Sequence, residues 1–292
     1  MAVRCSPPGG GQRSGSVWCE RSGADVTRVA LITGASSGIG LATARLLRGR
    51  GYRVALVARS ADRLNEVAAE LGALALPCDV ADIDALPDLV SATVDEYGSL
   101  DVLVNNAGVH YRGSMLRHTP QQLAQMVMVN TAAPIALTRA AAEVMQPGSV
   151  VVNVASLAGK LPLAGAATYS GSKAGVRFWA MAAAEDLAER GIRMATVNPG
   201  PVDTGFFDED LEHVTPMTFS QPMSTVEQCA QAVLKAIEAD ESPMEIDVPF
   251  ASGKLATLGY VAPPLRRILR PALEKRGAKV KAELMRQKGL SG

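Results

Sequence analysis

The chain has little of what marks metal, disulfide or membrane chemistry. Its four cysteines, Cys5, Cys19, Cys78 and Cys229, are scattered and form no C-x-x-C pair. Structural disulfides are therefore not expected, and a reducing cytoplasm is the expected compartment. The three histidines, His110, His118 and His213, are equally dispersed, so a metal centre has no support. Neither sign of charge dominates, since 29 Lys and Arg balance 29 Asp and Glu. That balance gives no whole-chain argument for nucleic acid as a partner. No apolar run reaches the roughly 18 residues a membrane span needs, and no internal repeat is visible. Residues 1–27, with Pro7-Pro8-Gly9-Gly10-Gly11, have too few apolar side chains to offset the entropy of ordering and lack the apolar core of a secretory signal. They are expected to be a disordered extension.

What is present is an α/β alternation. With 292 residues, 48% of them hydrophobic, the chain can bury the core of one large α/β domain with extensions. Short apolar runs predict strands at 28–33, 53–58, 74–78, 101–105, 149–155, 193–198 and 244–248. Helical patterns fall between them, at 61–71, 83–97, 120–145, 168–190 and 226–239, with Gly72 and Gly98 as stops. Nearly continuous apolar strands suit a parallel sheet buried on both faces. Repeated strand–helix units imply right-handed crossovers and a doubly wound sheet, whose ligands sit beyond the carboxyl ends of the strands. The main domain is expected to span 28–250, with 251–292 as a basic amphipathic tail.

Two stretches carry chemistry. Thr33-Gly-Ala-Ser-Ser-Gly-Ile-Gly40 joins the first strand to a helical pattern. Glycines at 34, 38 and 40 permit a tight turn and close approach of backbone to a ligand, and the following helix directs free N–H groups at an anion. In that setting the stretch reads as a dinucleotide-binding turn, although its G-x-x-x-G-x-G spacing is not G-x-G-x-x-G. The second is Tyr169-Ser-Gly-Ser-Lys173, which opens a helix and places an ammonium beside a phenol on one face. A phenol titrates near about 10 in water and exchanges protons poorly at neutrality. A neighbouring cation favours the phenolate and is expected to lower that value.

Thr33-Gly-x-x-x-Gly-x-Gly40, Asn105-Asn-Ala-Gly108, Asn130, Ser156, Tyr169-x-x-x-Lys173 and Pro199-Gly200 follow one another in an order that resembles the short-chain dehydrogenase/reductase family. The likeness spans roughly Val29 to Val248 and implies a single-domain Rossmann fold. It further implies that Tyr169 is the general acid or base while hydride moves between substrate carbon and nicotinamide. Lys173 would tune Tyr169 and hold the nicotinamide ribose. Ser156 would hydrogen-bond the substrate oxygen, and Asn130 would shape a water path to Lys173. The cofactor would lie along Gly34, Ser36, Ser37, Gly38, Ile39 and Gly40, with Asp79 and Val80 at the adenine. Asn106, Ala107 and Gly108 would pack near the adenosine half, and Pro199, Gly200, Val202 and Thr204 against the nicotinamide. A non-catalytic dinucleotide sensor of the same fold is the alternative.

The second strand ends in Ala58-Arg59-Ser60, with Arg63 one turn on. No carboxylate stands there for a ribose 2′-hydroxyl, and a guanidinium suits a 2′-phosphate. NADP is the expected cofactor, with NAD as an alternative because the glycine-rich turn holds no further basic residue. Leu157–Leu163 and Phe206-Phe207 are apolar neighbours of the site and favour a hydrophobic ketone or secondary alcohol. The loop 203–222 resembles a mobile substrate lid. Residues 264–290 hold nine Lys and Arg against two Glu. Leu265, Ile268, Leu269, Ala272 and Leu273 recur at helical spacing there, with Pro271 and Gly277 expected to interrupt the helix. Three outcomes stay open for this tail: docking on the protein or on a second subunit of a homodimer or homotetramer, peripheral contact with an anionic membrane, or a solvated helix.

Overall fold

The computed structural model describes residues 27–202 and 211–288. Strand β1 (Val29–Thr33) is buried along its whole length, as both faces of a parallel sheet are covered by helices. With β2 (Arg53–Ala58), β3 (Leu74–Pro77), β4 (Val102–Asn105), β5 (Val150–Val154), β6 (Arg193–Pro199) and β7 (Met244–Val248) it forms a seven-stranded sheet ordered β3-β2-β1-β4-β5-β6-β7. Every pairing is parallel. Alternate residues face opposite layers: Ala30 and Ile32 enter one core, while Leu31 enters the other. Helices α1 (Gly38–Gly49), α2 (Ala61–Leu71) and α7 (Val226–Glu238) cover the first face through Leu47, Leu64 and Val233. Helices α3 (Leu86–Tyr97), α5 (Ala133–Ala141) and α6 (Ala167–Ala188) cover the second through Leu89, Leu137 and Ala184. Strand order reverses between β1 and β4, which opens a crevice at their carboxyl ends.

The predicted helix stops at Gly72 and Gly98 are left-handed residues with φ of 56° and 82°, a conformation glycine adopts without the steric cost of a Cβ. Other boundaries need correcting. The helix expected over 83–97 begins with a 3-10 turn, Ile83–Ala85, before α3 starts. The single helix expected over 120–145 is three pieces: α4 (Pro120–Val127), a π-helical turn (Met128–Ala132) and α5. Pro134 lacks an N–H and removes a rung of the ladder there. The wide turn before it carries Asn130, and such turns recur at functional sites.

The end of the chain also departs from expectation. Helix α8 (Phe250–Val261) follows β7 closely, and Gly253 lies so near Asp247 that a Cβ would collide with its carboxylate. Helix α9 (Pro263–Gln287) then runs without interruption through both Pro271 and Gly277. Pro271 is exposed, so water can satisfy the carbonyl it leaves without a partner. Gly277 serves packing: a Cβ would strike the Pro216 carbonyl of a short 3-10 segment, Pro216–Ser220. Val280, Leu284 and Met285 pack beside it on a small core of Leu211, Val214 and Phe219. The Lys281 ammonium donates to the carbonyls of Glu212 and Val214 at 2.7 and 2.8 Å. The second half of the tail therefore docks on the chain's own 211–220 segment. Residues 1–26, and with them nearly all of the expected extension, lie outside the described residues.

Candidate active site

A cavity of about 910 Å³ opens at the carboxyl ends of the strands. Its floor at β1 is the glycine-rich turn, where Gly34 and Gly38 take φ of 65° and 53°. A Cβ on Gly34 would come within 2.9 Å of Ala107 Cα, and one on Gly40 would collide with the Gly34 carbonyl. The Asn106 side-chain amide donates to the carbonyls of Thr33 and Gly34 at 2.8 and 3.1 Å, while the Thr33 hydroxyl accepts from the backbone N–H groups of Asn106 and Ala107. Asn106, Ala107 and Gly108 thus form a strut that holds the turn. The first turn of α1 carries no acidic residue and no side-chain cap, which leaves its N–H groups for an anion.

Gly34, Ser36, Ser37, Gly38 and Ile39 line the cavity, as do Arg59, Asp79, Val80, Asn106, Ala107, Gly108, Pro199, Gly200 and Val202. Gly40 stands behind the turn as a packing residue. Arg63 is not among the lining residues; its guanidinium pairs with Glu66 at 2.8 Å on the solvent side of α2. Thr204, Phe206 and Phe207 lie outside the described residues. No group of His, Cys, Asp or Glu among the described residues is arranged to hold a metal ion.

Ser156, Tyr169 and Lys173 meet at one wall of this cavity. Ser156 ends β5 and caps the following 3-10 turn, accepting from the Ala158 N–H at 3.1 Å and donating to the Pro199 carbonyl at 3.3 Å. Its hydroxyl also pulls the Tyr169 phenol pKa downward. The buried Lys173 ammonium donates to the Val154 carbonyl at 2.9 Å, and burial brings its pKa down to about 8. Asn130 is a buried brace: its Oδ1 accepts from the Val109 N–H at 2.8 Å, and its amide donates to the Val109 carbonyl and the Ser172 hydroxyl. It ties the strut to α6, with Gly108 close to both its Oδ1 and the Lys173 Nζ.

One expectation reverses. Burial holds the Tyr169 phenol above its ordinary value, against the pull of Ser156 and of the Arg112 guanidinium. The Arg112 guanidinium is a cation that acts on the phenol, while the Lys173 ammonium donates to a carbonyl of β5.

Three residues were not singled out from the sequence. The His110 ring stacks on Tyr169 with centroids 4.0 Å apart and planes 13° from parallel. Burial, with the charges of Arg112, His118 and Lys173, lowers the His110 pKa to about 3, so the ring is a neutral platform. Arg112 is buried in the cavity wall two residues on. Both follow the Asn105–Gly108 motif directly, at the end of β4, and that position was the available signal. Lys160, read only as part of an apolar loop, centres a charge cluster. Its ammonium lies 2.8 Å from Asp247 and 3.3 Å from Glu245. Arg177 bonds Glu245 at 2.9 Å, and the Asn198 amide donates to both carboxylates at 3.1 Å. This cluster fastens the loop after Ser156 to β6, β7 and α6.

Helices α8 and α9 complete the cavity with Leu255, Leu258, Leu269 and Leu273, opposite Leu161, Leu163 and Met217. These side chains are apolar, and Thr218, Ser220 and Gln221 line the cavity beside Met217.

Comparison with known proteins agrees with this fold. The family model described as short chain dehydrogenase matches residues 28–214, ending before α7, β7, α8 and α9. Carbonyl reductase family member 4 of Xenopus tropicalis is 32% identical over 222 residues, covering 73% of this chain and 92% of that protein. A 3-oxoacyl-[acyl-carrier-protein] reductase of Synechocystis is 35% identical over 185 residues, 61% of this chain and 75% of that one. Among solved structures, a short chain dehydrogenase from Burkholderia cenocepacia in complex with NADP aligns with a TM-score of 0.70 and 31% identity, covering 76% of this chain and 96% of that chain. A blue fluorescent protein from a metagenomic library, in complex with NADPH, aligns with a TM-score of 0.69 and 29% identity over the same shares. On its sheet order, its motifs and these likenesses, the chain belongs to the short chain dehydrogenase family of oxidoreductases.

Proposed function

We propose that the chain uses NADP(H) to interconvert a hydrophobic ketone and its secondary alcohol, with Tyr169 exchanging a proton with the substrate oxygen. The observation that carries this reading is the convergence of Ser156, Tyr169 and Lys173 with the glycine turn in one cavity. The cofactor supplies hydride at its nicotinamide ring. Gly34, Ser36 and Ser37 would hold its phosphates at the start of α1, and Pro199, Gly200 and Val202 would bound the nicotinamide side. Arg59 lines the cavity, and positions 58–60 carry no carboxylate, which favours a 2′-phosphate. The NADP and NADPH complexes of the two similar structures support the same choice.

The protein's own groups handle the proton. A phenol raised above its ordinary value remains protonated at neutral pH and can donate to a carbonyl oxygen that gains charge. Ser156 would donate a second hydrogen bond to that oxygen, fixing its position. His110 keeps the phenol ring in one plane through their stack. The leucines of α8 and α9 exclude water and accept an apolar substrate body. No observation among the described residues favours the non-catalytic alternative. A separate exposed patch on α4, α6 and the π-helical turn, with Val127, Met128, Phe178 and Met181, suits a second copy of the chain.

The test is oxidation of NADPH or NADH, followed by absorbance, against a panel of apolar ketones. Turnover with NADPH at higher kcat/KM than with NADH is expected. Absence of turnover across the panel, or a preference for NADH, would overturn the corresponding part of the proposal.

A further inference from the structure

Half of the exposed large apolar side chains among the described residues lie on α8 and the first half of α9: Phe250, Leu258, Tyr260, Val261, Ile268 and Leu269. Ile268 is 74% exposed. Leu258 and Leu269, 44% and 37% exposed, also line the active-site cavity. The patch is thus continuous with the rim of the cavity. Leaving such side chains in water is unfavourable, and contiguous apolar surface on this scale marks an interaction site.

Packing among the described residues does not cover this face. The second half of α9 is held against residues 211–220 by Gly277, Lys281 and the small core around Phe219. That docking leaves Ile268 and its neighbours outward. The charge around them has one dominant sign. Lys254, whose ammonium lies 5.1 Å from the Phe250 ring centre, and Arg267 are exposed on α8 and α9, while Arg270 pairs with Glu274 at 2.8 Å. Residues 264–290 carry +7 in a chain whose net charge is zero.

We propose that the α8–α9 rim is a docking surface for an anionic phospholipid bilayer. Apolar side chains framed by Lys and Arg, with a tyrosine at the boundary, match a surface whose interior is hydrocarbon and whose headgroups are negative. The contact is peripheral, since no described helix is long and apolar enough to cross a membrane. A further consequence rests on the proposed reaction: the cavity mouth faces the bilayer, so a lipophilic ketone or alcohol enters from the membrane rather than from water.

The docking is tested without any substrate, which separates its failure from failure of the catalytic reading. The full chain is sedimented with vesicles of phosphatidylcholine alone and of phosphatidylcholine with phosphatidylglycerol, at low and high salt. Binding is expected with the anionic vesicles at low salt and should weaken as salt rises. Arg267→Gln should weaken it about fivefold. The pair Val261→Asp and Ile268→Asp should weaken it by more than about tenfold while leaving NADPH binding and melting temperature unchanged. Wild-type protein that stays in the supernatant at low salt overturns the proposal. So does equal vesicle binding by the paired variant, which would mean that basic charge alone holds the lipid. A dimer in sedimentation velocity that the paired variant dissociates would assign the face to a second copy instead, and would also overturn it.

Discussion

The charge cluster around Lys160 offers a quantitative test of how the site is held. Burial acts to raise the Glu245 carboxyl, but bonds from Arg177 and Asn198, and the charges of Arg177 and Lys160, outweigh it and bring the value from 4.5 down to about 2. A carboxyl whose pKa is depressed on folding stabilises the protein above its unfolded value and loses that contribution as pH falls through its folded value. The window therefore runs from about pH 4.5 down to about pH 2. A shift of that size corresponds to roughly 3 kcal/mol, reduced to about 2–3 because Glu245 is partly exposed. Glu245→Gln keeps the shape and the bond from Asn198, yet removes the charge facing Arg177 and Lys160. At neutral pH its melting temperature should fall by about 4–8 °C. The gap between variant and wild type should close on titration toward pH 2. Thermal unfolding across that range, followed by circular dichroism, is the assay. A variant that melts with wild type at pH 7, or a gap that persists unchanged to the acid end, would refute the reasoning.

Two further substitutions test other parts of the site. Ala58→Asp places a carboxylate beside Arg59 at the cavity edge and should reverse the preference from NADPH to NADH in kcat/KM; unchanged preference would show that this corner does not read the 2′ position. His110→Leu removes the ring stacked on Tyr169 and should lower kcat up to about tenfold, with NADPH binding intact. Because the His110 pKa is about 3, the pH–rate profile near neutrality should keep its shape, and loss of an ionisation there would refute the neutral-platform role.

Periodicity and glycine placement made most of the fold legible. Strands such as Arg53–Ala58 and the stop at Gly72 were readable because buried parallel strands and left-handed caps each leave a local signature. The break at Met128–Ala132 was not, since a π-helical turn keeps an apolar pattern that reads as continuous helix. Gly277 was read as a helix breaker because a glycine that permits helix–backbone contact looks the same in sequence as one that ends a helix. In the site, ordered motifs pointed to Ser156, Tyr169 and Lys173. The direction of the Tyr169 shift follows burial, which is not written in a spacing of four. The Lys160 cluster joins residues up to 87 positions apart, so only the fold brings it together.

The central claim is that Tyr169 moves the proton. Tyr169→Phe keeps the ring and its stack on His110 while deleting the hydroxyl whose proton is proposed to move. With the best ketone found in the panel and saturating NADPH, its kcat should fall by at least about a hundredfold, while NADPH binding, measured by nicotinamide fluorescence, stays unchanged. A variant that retains turnover within a few fold of wild type would contradict the account.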